Sequence, residues 1–265
     1  MRVPLTHWEG ESVLRLRDQW GVPALEVHER ISSTNDRALE LAGSGAGSFS
    51  VVIAEEQTEG RGRRGAIWHS TRGAGLWMSV VLPAERVPLY LPLMVGVAVA
   101  EAIEESCNPV GVGGVGIKWP NDLMVGGKKL GGILCETVRG PGRSDGGHVV
   151  AGIGVNTRTL SDGLPADIEV CATSLEALTS TRVRHTLLGG SITRALIRRI
   201  HCVHASLDGE FLGALRLRDI LIDQPIDSEE HGRGIARGIA SDGSLIMQQA
   251  DGSRIRVGAG SVRPL

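Results

Sequence analysis

The chain has 265 residues, 42% of them hydrophobic, and a formal net charge of −2, which allows one large domain or a domain with a small appendage. A near-neutral balance argues against a general nucleic-acid binder, which presents a basic surface. The longest apolar run, Leu91 to Ala100, is too short for a bilayer, and charges are scattered through Met1 to Gly21. The four cysteines (Cys107, Cys135, Cys171, Cys202) are too dispersed for a zinc site, so the expectation is a soluble cytoplasmic protein with buried, reduced thiols.

Residues 1–26 read as a helical lead-in with Val13, Leu14, Leu16 and Trp20 as its apolar set. Val27 to Ile31 alternates as a strand. Ser32 to Asp36 then offers the hydroxyls and amides of a helix N-cap, and Arg37 to Leu41 is helical. After a Gly/Ser turn, Phe49 to Ala54 is a buried strand by its β-branched content, and Gly75 to Leu82 is the next. Pro83, Pro88 and Pro92 punctuate the chain, and Leu93 to Cys107 forms a helix with Glu101, Glu104 and Glu105 on its polar side.

Gly111 to Gly116 matches the dinucleotide fingerprint G-x-G-x-x-G only in letters. A helix precedes it and Pro120 follows, so a glycine-rich turn into a strand is expected. Lys118 ends that strand, Pro120-Asn121-Asp122 turns, Gly126-Gly127 closes a hairpin, and Leu130 to Glu136 and His148 to Asn156 are further strands. Residues 157–170 are an irregular loop. Ser174 to Leu178 is a short helical piece, and Leu187 to Leu212 a long amphipathic helical region. From Asp223 the character changes to short strands with Asx-Gly turns at Asp242-Gly243 and Asp251-Gly252. Ile235, Ile239, Leu245, Met247, Ile255 and Val257 are the alternating apolar set there. The expectation is a mixed-sheet domain over 1–222 and a small β-barrel over 223–265.

Three stretches carry chemistry. Glu55 to Trp68 alternates Gly60, Gly62 and Gly65 with Arg61, Arg63 and Arg64 between two buried strands. Glycine permits close backbone approach and arginine supplies a planar fork of donors for phosphate or carboxylate. Lys118-Trp119-Pro120-Asn121-Asp122 sets a lysine at a strand end, where it is expensive unless paired with an anion. Gly152-Ile153-Gly154-Val155-Asn156 is a strand whose glycines leave room for a ligand, with Asn156 at its mouth. Taken singly, each also has a plain structural reading: a solvated loop, a surface lysine beside a turn, a tight strand. No Walker spacing and no G-x-S-x-G elbow is present. Residue chemistry alone stops at an anion-binding α/β enzyme that uses a nucleotide.

The ordered set Ser33-Thr34-Asn35, GRGRRG followed by Trp68, Gly75 to Ser79, KWPND at 118–122, Lys129 to Leu134 and GIGVN at 152–156 resembles the biotin protein ligases, also called holocarboxylase synthetases. The resemblance runs from about residue 27 to the end. It implies an α+β fold: a mixed-sheet catalytic domain with flanking helices, of the class II synthetase-like biotin–lipoate ligase type, plus a C-terminal SH3-like barrel. It implies activation of biotin by ATP, with Mg²⁺ riding on the phosphates, and transfer to a lysine of a biotin carboxyl carrier protein by a monomer or weak homodimer. Ser33, Thr34, Asn35, Gln57, Arg61, Gly62, Arg63 and Lys118 match biotin-binding positions. Lys118 and Arg63 match the catalytic cations. Arg61, Arg63, Trp68, Lys118, Asn121, Asp122, Lys129 and Asn156 match the adenylate side. After GRGRRG, Ala66 stands where many relatives carry a basic residue, so it offers no charge to a phosphate. No DNA-binding domain is recognised, so a ligase without repressor function is expected. A lipoate or octanoyl transferase would share the lysine and the sheet.

Overall fold

The computed structural model describes residues 3–83, 88–107, 114–138, 148–158, 166–200 and 207–265. In chain order the elements are β1 (His7–Trp8), β2 (Glu11–Ser12), α1 (Val13–Trp20), β3 (Leu25–His28), α2 (Thr34–Gly43), β4 (Val51–Ala54), β5 (Gly75–Leu82), α3 (Leu91–Cys107), β6 (Gly116–Lys118) and β7 (Asp122–Val125). There follow β8 (Lys128–Val138), β9 (His148–Asn156), α4 (Ala166–Cys171), α5 (Leu175–Thr179), α6 (His185–Ile200), α7 (Gly209–Arg218), β10 (Pro225–Ser228), β11 (Gly232–Ile239), β12 (Leu245–Gln248), β13 (Arg254–Val257) and β14 (Val262–Pro264).

Among the described residues a seven-stranded sheet has the order β3-β4-β5-β9-β8-β7-β6, with β3 and β4 parallel and every other pair antiparallel. Both faces are covered, which explains why β4 and β5 are buried at every position rather than alternating. Val51, Ile53, Val80, Leu82, Val149 and Ala151 face the large core shared with α3 and α6. Val52, Val81 and Val150 point the other way, onto Ala38 and Ala42 of α2.

That second face carries the site. Counting in twos from Val81, Val150 and Glu136, its next positions are Ser79 and Trp77 on β5, Gly152 and Gly154 on β9, and Leu134 and Gly132 on β8. The register sets Trp77, Gly154 and Gly132 side by side. Where α2 begins, valine gives way to glycine, and the sheet becomes the floor of a cleft.

Several local expectations shift. The hydroxyl of Ser33 accepts from Asp36 N, so α2 starts at Thr34 and takes Asn35 into its first turn. The lead-in holds a β1–β2 hairpin before α1, and Leu14 is exposed while Val13, Leu16 and Trp20 are buried. Pro92 falls in the first turn of α3, where its missing N–H is no loss. The region expected as one long helix is α6 and α7, with residues 201–206 outside the described set. The irregular loop gives way to α4 at Ala166, and its residues 159–165, like Gly111 to Gly113, also lie outside. Cys171 is exposed rather than buried, whereas burial pushes the Cys107 thiol up to about 11 and Cys135 to about 12; Cys202 is outside the described residues. No helix among the described residues is long and apolar enough to cross a membrane.

Strands β10 to β14 form a second, antiparallel sheet of order β13-β12-β11-β10-β14. Among the described residues no pairing joins β13 to β14, so it is an open sheet and not the closed barrel expected. A register shift between Ala236 and Ile239 turns Ile235 outward and buries Ala236 instead. Its inner face is continuous with the main core, through Ile226, Ala236, Leu245, Met247, Val257 and Val262.

Candidate active site

A cleft of about 450 Å³ lies over the glycine floor, and every residue singled out from the sequence lines it: Ser33, Thr34, Asn35, Gln57, Arg61, Gly62, Arg63, Trp68, Lys118, Asn121, Asp122, Lys129 and Asn156. Gly260, Ser261 and Val262 of the C-terminal sheet complete the wall, as do His69 and Cys171. None of these five was foreseen, because no local pattern announces a wall built from another part of the chain.

The Gly/Arg stretch folds as a narrow hairpin. Trp68 N donates to Gly60 O at 2.9 Å, Gly62 N donates to Ala66 O at 2.7 Å, and Arg61 bridges Ile67. A Cβ on Gly60 would lie 2.4 Å from Trp68 O, so only glycine fits at the base. A short 3₁₀ turn, Arg63–Gly65, makes the tip, with Arg64 and Gly65 in the left-handed region.

The glycines of β9 do not hold space for a ligand, as the sequence suggested; they hold space for two of the chain's own side chains. A Cβ on Gly154 would meet the Trp68 indole at 2.6 Å, and one on Gly152 would meet Asn35 Oδ1 at 2.4 Å. Trp68 therefore lies flat against the floor, edge-on to Trp77 at 6.3 Å, with Lys129 Nζ 5.3 Å from its ring centroid. Its Nε1 is buried with no hydrogen-bond partner.

The polar end of the cleft is a connected network. Gln57 Oε1 accepts from Thr34 N at 2.8 Å and Thr34 Oγ1 at 3.0 Å, and Gln57 Nε2 donates to Ser70 Oγ at 2.8 Å. Ser79 Oγ lies 2.8 Å from Thr34 Oγ1 and donates to Asn35 Oδ1 at 2.6 Å. Ser79 was quoted in a motif but given no place in the site. At the other end, Asn121 Nδ2 donates to Ile133 O at 2.8 Å and Asn156 Nδ2 to Thr173 O at 3.1 Å. Lys129 Nζ pairs with Asp122 Oδ1 at 2.6 Å.

The cations are not equivalent. The hydrogen bonds Arg61 donates to Asp36, and the nearby charge of Glu136, hold its guanidinium above its ordinary pKa. Among the described residues Arg63 has only long contacts, Nη1 to Asn121 Oδ1 at 3.4 Å and to Gly260 O at 3.5 Å, and burial pulls its pKa down against the field of Asp122. Arg64 pairs with Glu229 of the C-terminal sheet. Among the described residues neither Arg63 nor Lys118 has a carboxylate within ion-pair distance, though both face the cleft. Two cations left unneutralised by the protein in a partly desolvated cleft suit an anionic ligand. No group of three acidic, His or Cys side chains among the described residues could hold a metal.

Residues 27–156 match the model of the biotin/lipoate A/B protein ligase family. The bifunctional ligase/repressor BirA of Bacillus spizizenii is 40% identical over 157 residues, which is 58% of this chain and 46% of that protein. The match thus spans about half the length of that relative. The biotin–[acetyl-CoA-carboxylase] ligase of Mycobacterium tuberculosis is 33% identical over 261 residues, covering 93% of both chains. This chain belongs to the biotin/lipoate A/B protein ligase family. Family membership extends to the whole architecture: a structure of the biotin protein ligase from Aquifex aeolicus in complex with biotin and ATP superposes with a TM-score of 0.76 at 25% identity, covering 91% of this chain and 99% of that one.

Proposed function

We propose that this protein is an ATP-dependent ligase that activates biotin as biotinyl-5′-AMP and transfers it to one lysine of a biotin carboxyl carrier protein. The observation that carries the reading is that Lys118 and Arg63 face one cleft without a carboxylate partner among the described residues, together with the Thr34–Gln57–Ser79 network. In the first step the biotin carboxylate attacks the α-phosphorus of ATP and the bond to pyrophosphate breaks. Lys118 offsets the repulsion between the two anions, and Arg63 neutralises charge that grows on the phosphate. In the second step the lysine amine attacks the acyl carbonyl, AMP leaves, and the proton is lost from the amine nitrogen.

The ureido ring of biotin offers a carbonyl acceptor and N–H donors, which suit Ser33 and Thr34, and the flat Trp68 suits its apolar part. The Gly/Arg hairpin serves as a lid that keeps the mixed anhydride from water. For Mg²⁺ the fitting donors are the oxygens of Asp122 and Asn121; bound with ATP, the ion would neutralise phosphate charge. Relatives named biotin–[acetyl-CoA-carboxylase] ligase support a carboxylase carrier as the acceptor. We assign residues 1–222 to catalysis and 223–265 to a small SH3-like unit, supported by the separate five-stranded sheet that follows Asp223. The free thiols support a cytoplasmic location. Exchange of pyrophosphate into ATP that requires biotin, and that lipoate does not replace, tests the reading.

A further inference from the structure

Arg61, the first arginine of the hairpin, is already engaged. Its Nη1 donates to Asp36 Oδ2 at 2.8 Å, its Nη2 donates to Asp36 Oδ1 at 2.6 Å, and the same Nη2 reaches Glu136 Oε2 at 3.4 Å. That Glu136 oxygen also accepts from Asn35 Nδ2 at 2.6 Å, and Asn35 Oδ1 accepts from Ser79 at 2.6 Å. One chain of hydrogen bonds therefore ties the hairpin base, the first turn of α2, β8 and β5. Neither Asp36 nor Glu136 lines the cleft. A bidentate guanidinium–carboxylate pair fixes orientation as well as charge. With both ends of its amide taken, Asn35 is held against Gly152 and fixes the turn that presents Ser33 and Thr34.

We propose that Asp36, Arg61 and Glu136 form a clasp that holds the hairpin base against α2, so that the acyl end of the cleft is framed before nucleotide binds. Asp36 and Glu136 are positioning residues, and the side chain of Arg61 is a strut rather than an anion ligand. The response to phosphate then falls to Arg63 at the tip. The proposal rests on the biotin-ligase reading for its kinetic consequence, but not for its structural one.

The test is D36N, E136Q and the double variant in the full chain, each checked for an unchanged far-UV spectrum. By hydrogen exchange without ligands, amides of residues 60–68 should exchange about ten-fold faster in D36N, equivalent to about 1.4 kcal/mol of lost local stability. Amides of β9 should be unchanged. In biotin-dependent pyrophosphate exchange, KM for biotin should rise about ten-fold in D36N while kcat and KM for ATP stay within about two-fold. The double variant should cost less than the sum of the singles, because both carboxylates hold one guanidinium. Unchanged hydrogen exchange at 60–68 would overturn the clasp whatever the enzyme's substrate. So would a rise in KM for ATP as large as that for biotin, which would make Arg61 an anion ligand. A wild-type protein without biotin-dependent exchange, yet with the predicted hydrogen-exchange change, would overturn the ligase reading and leave the clasp supported.

Discussion

At the scale of single residues, the site depends on where side chains are missing as much as on where they are present. Gly154 leaves its space to the Trp68 indole, and the ring is large, rigid and backed by Trp77. Gly154→Ala should force that ring toward the cleft and cost about 1–3 kcal/mol by overpacking. Urea unfolding measures the cost, and an unchanged midpoint would contradict the contact. The chemical residues were legible because their types are demanding: a lysine at a strand end and arginines between glycines have few cheap uses. What those residues do to one another was not. Nothing local says that Arg61 is taken by Asp36 and Glu136 while Arg63 has no carboxylate partner among the described residues, since the partners of Arg61 lie on α2 and β8.

At the scale of elements, apolar runs gave the bounds of β5 and β9, because both strands are buried on both faces and read as largely apolar stretches without polar alternation. The two-residue strands of the N-terminal hairpin carry too little periodicity to be seen; they are held by tertiary contacts, Trp8 Nε1 donating to Glu55 and Thr186 N donating to Glu9. Another junction between elements hides a titrating group. Asp219, between α7 and β10, bridges Ile117, and its Oδ1 accepts from Leu221 N at 3.0 Å, while Oδ2 is buried without a partner. Burial pushes its carboxyl from the ordinary 3.8 up to about 6. The folded state therefore holds this proton more tightly than the unfolded state. The contribution of this one group to stability is fully present below about 3.8 and is lost as pH rises through about 6. Asp219→Asn should stabilise the protein by about 1–3 kcal/mol at neutral pH, a gain that fades as pH falls toward 4. Denaturant titrations at several pH values check this; a pH-independent difference would contradict the assignment.

At the scale of the whole molecule, the C-terminal sheet is part of the active-site architecture. It supplies Gly260, Ser261 and Val262 to the cleft wall, takes Arg64 through Glu229, and shares the main core. A buried link lies next to Lys118: Trp119 donates Nε1–H to Gly243 O at 2.9 Å, at a turn packed on Tyr90. Trp119→Phe leaves that carbonyl without its donor and should cost about 1–3 kcal/mol in thermal unfolding. An unchanged melting temperature would mean the two sheets are held together elsewhere.

The central claim is that this cleft joins biotin to AMP. Pyrophosphate exchange into ATP measures that step alone. Exchange should require biotin, be absent with lipoate, and fall about 10²–10³-fold in a folded Lys118→Ala variant. Exchange supported by lipoate but not biotin, or equal exchange in the Lys118→Ala variant, would contradict it.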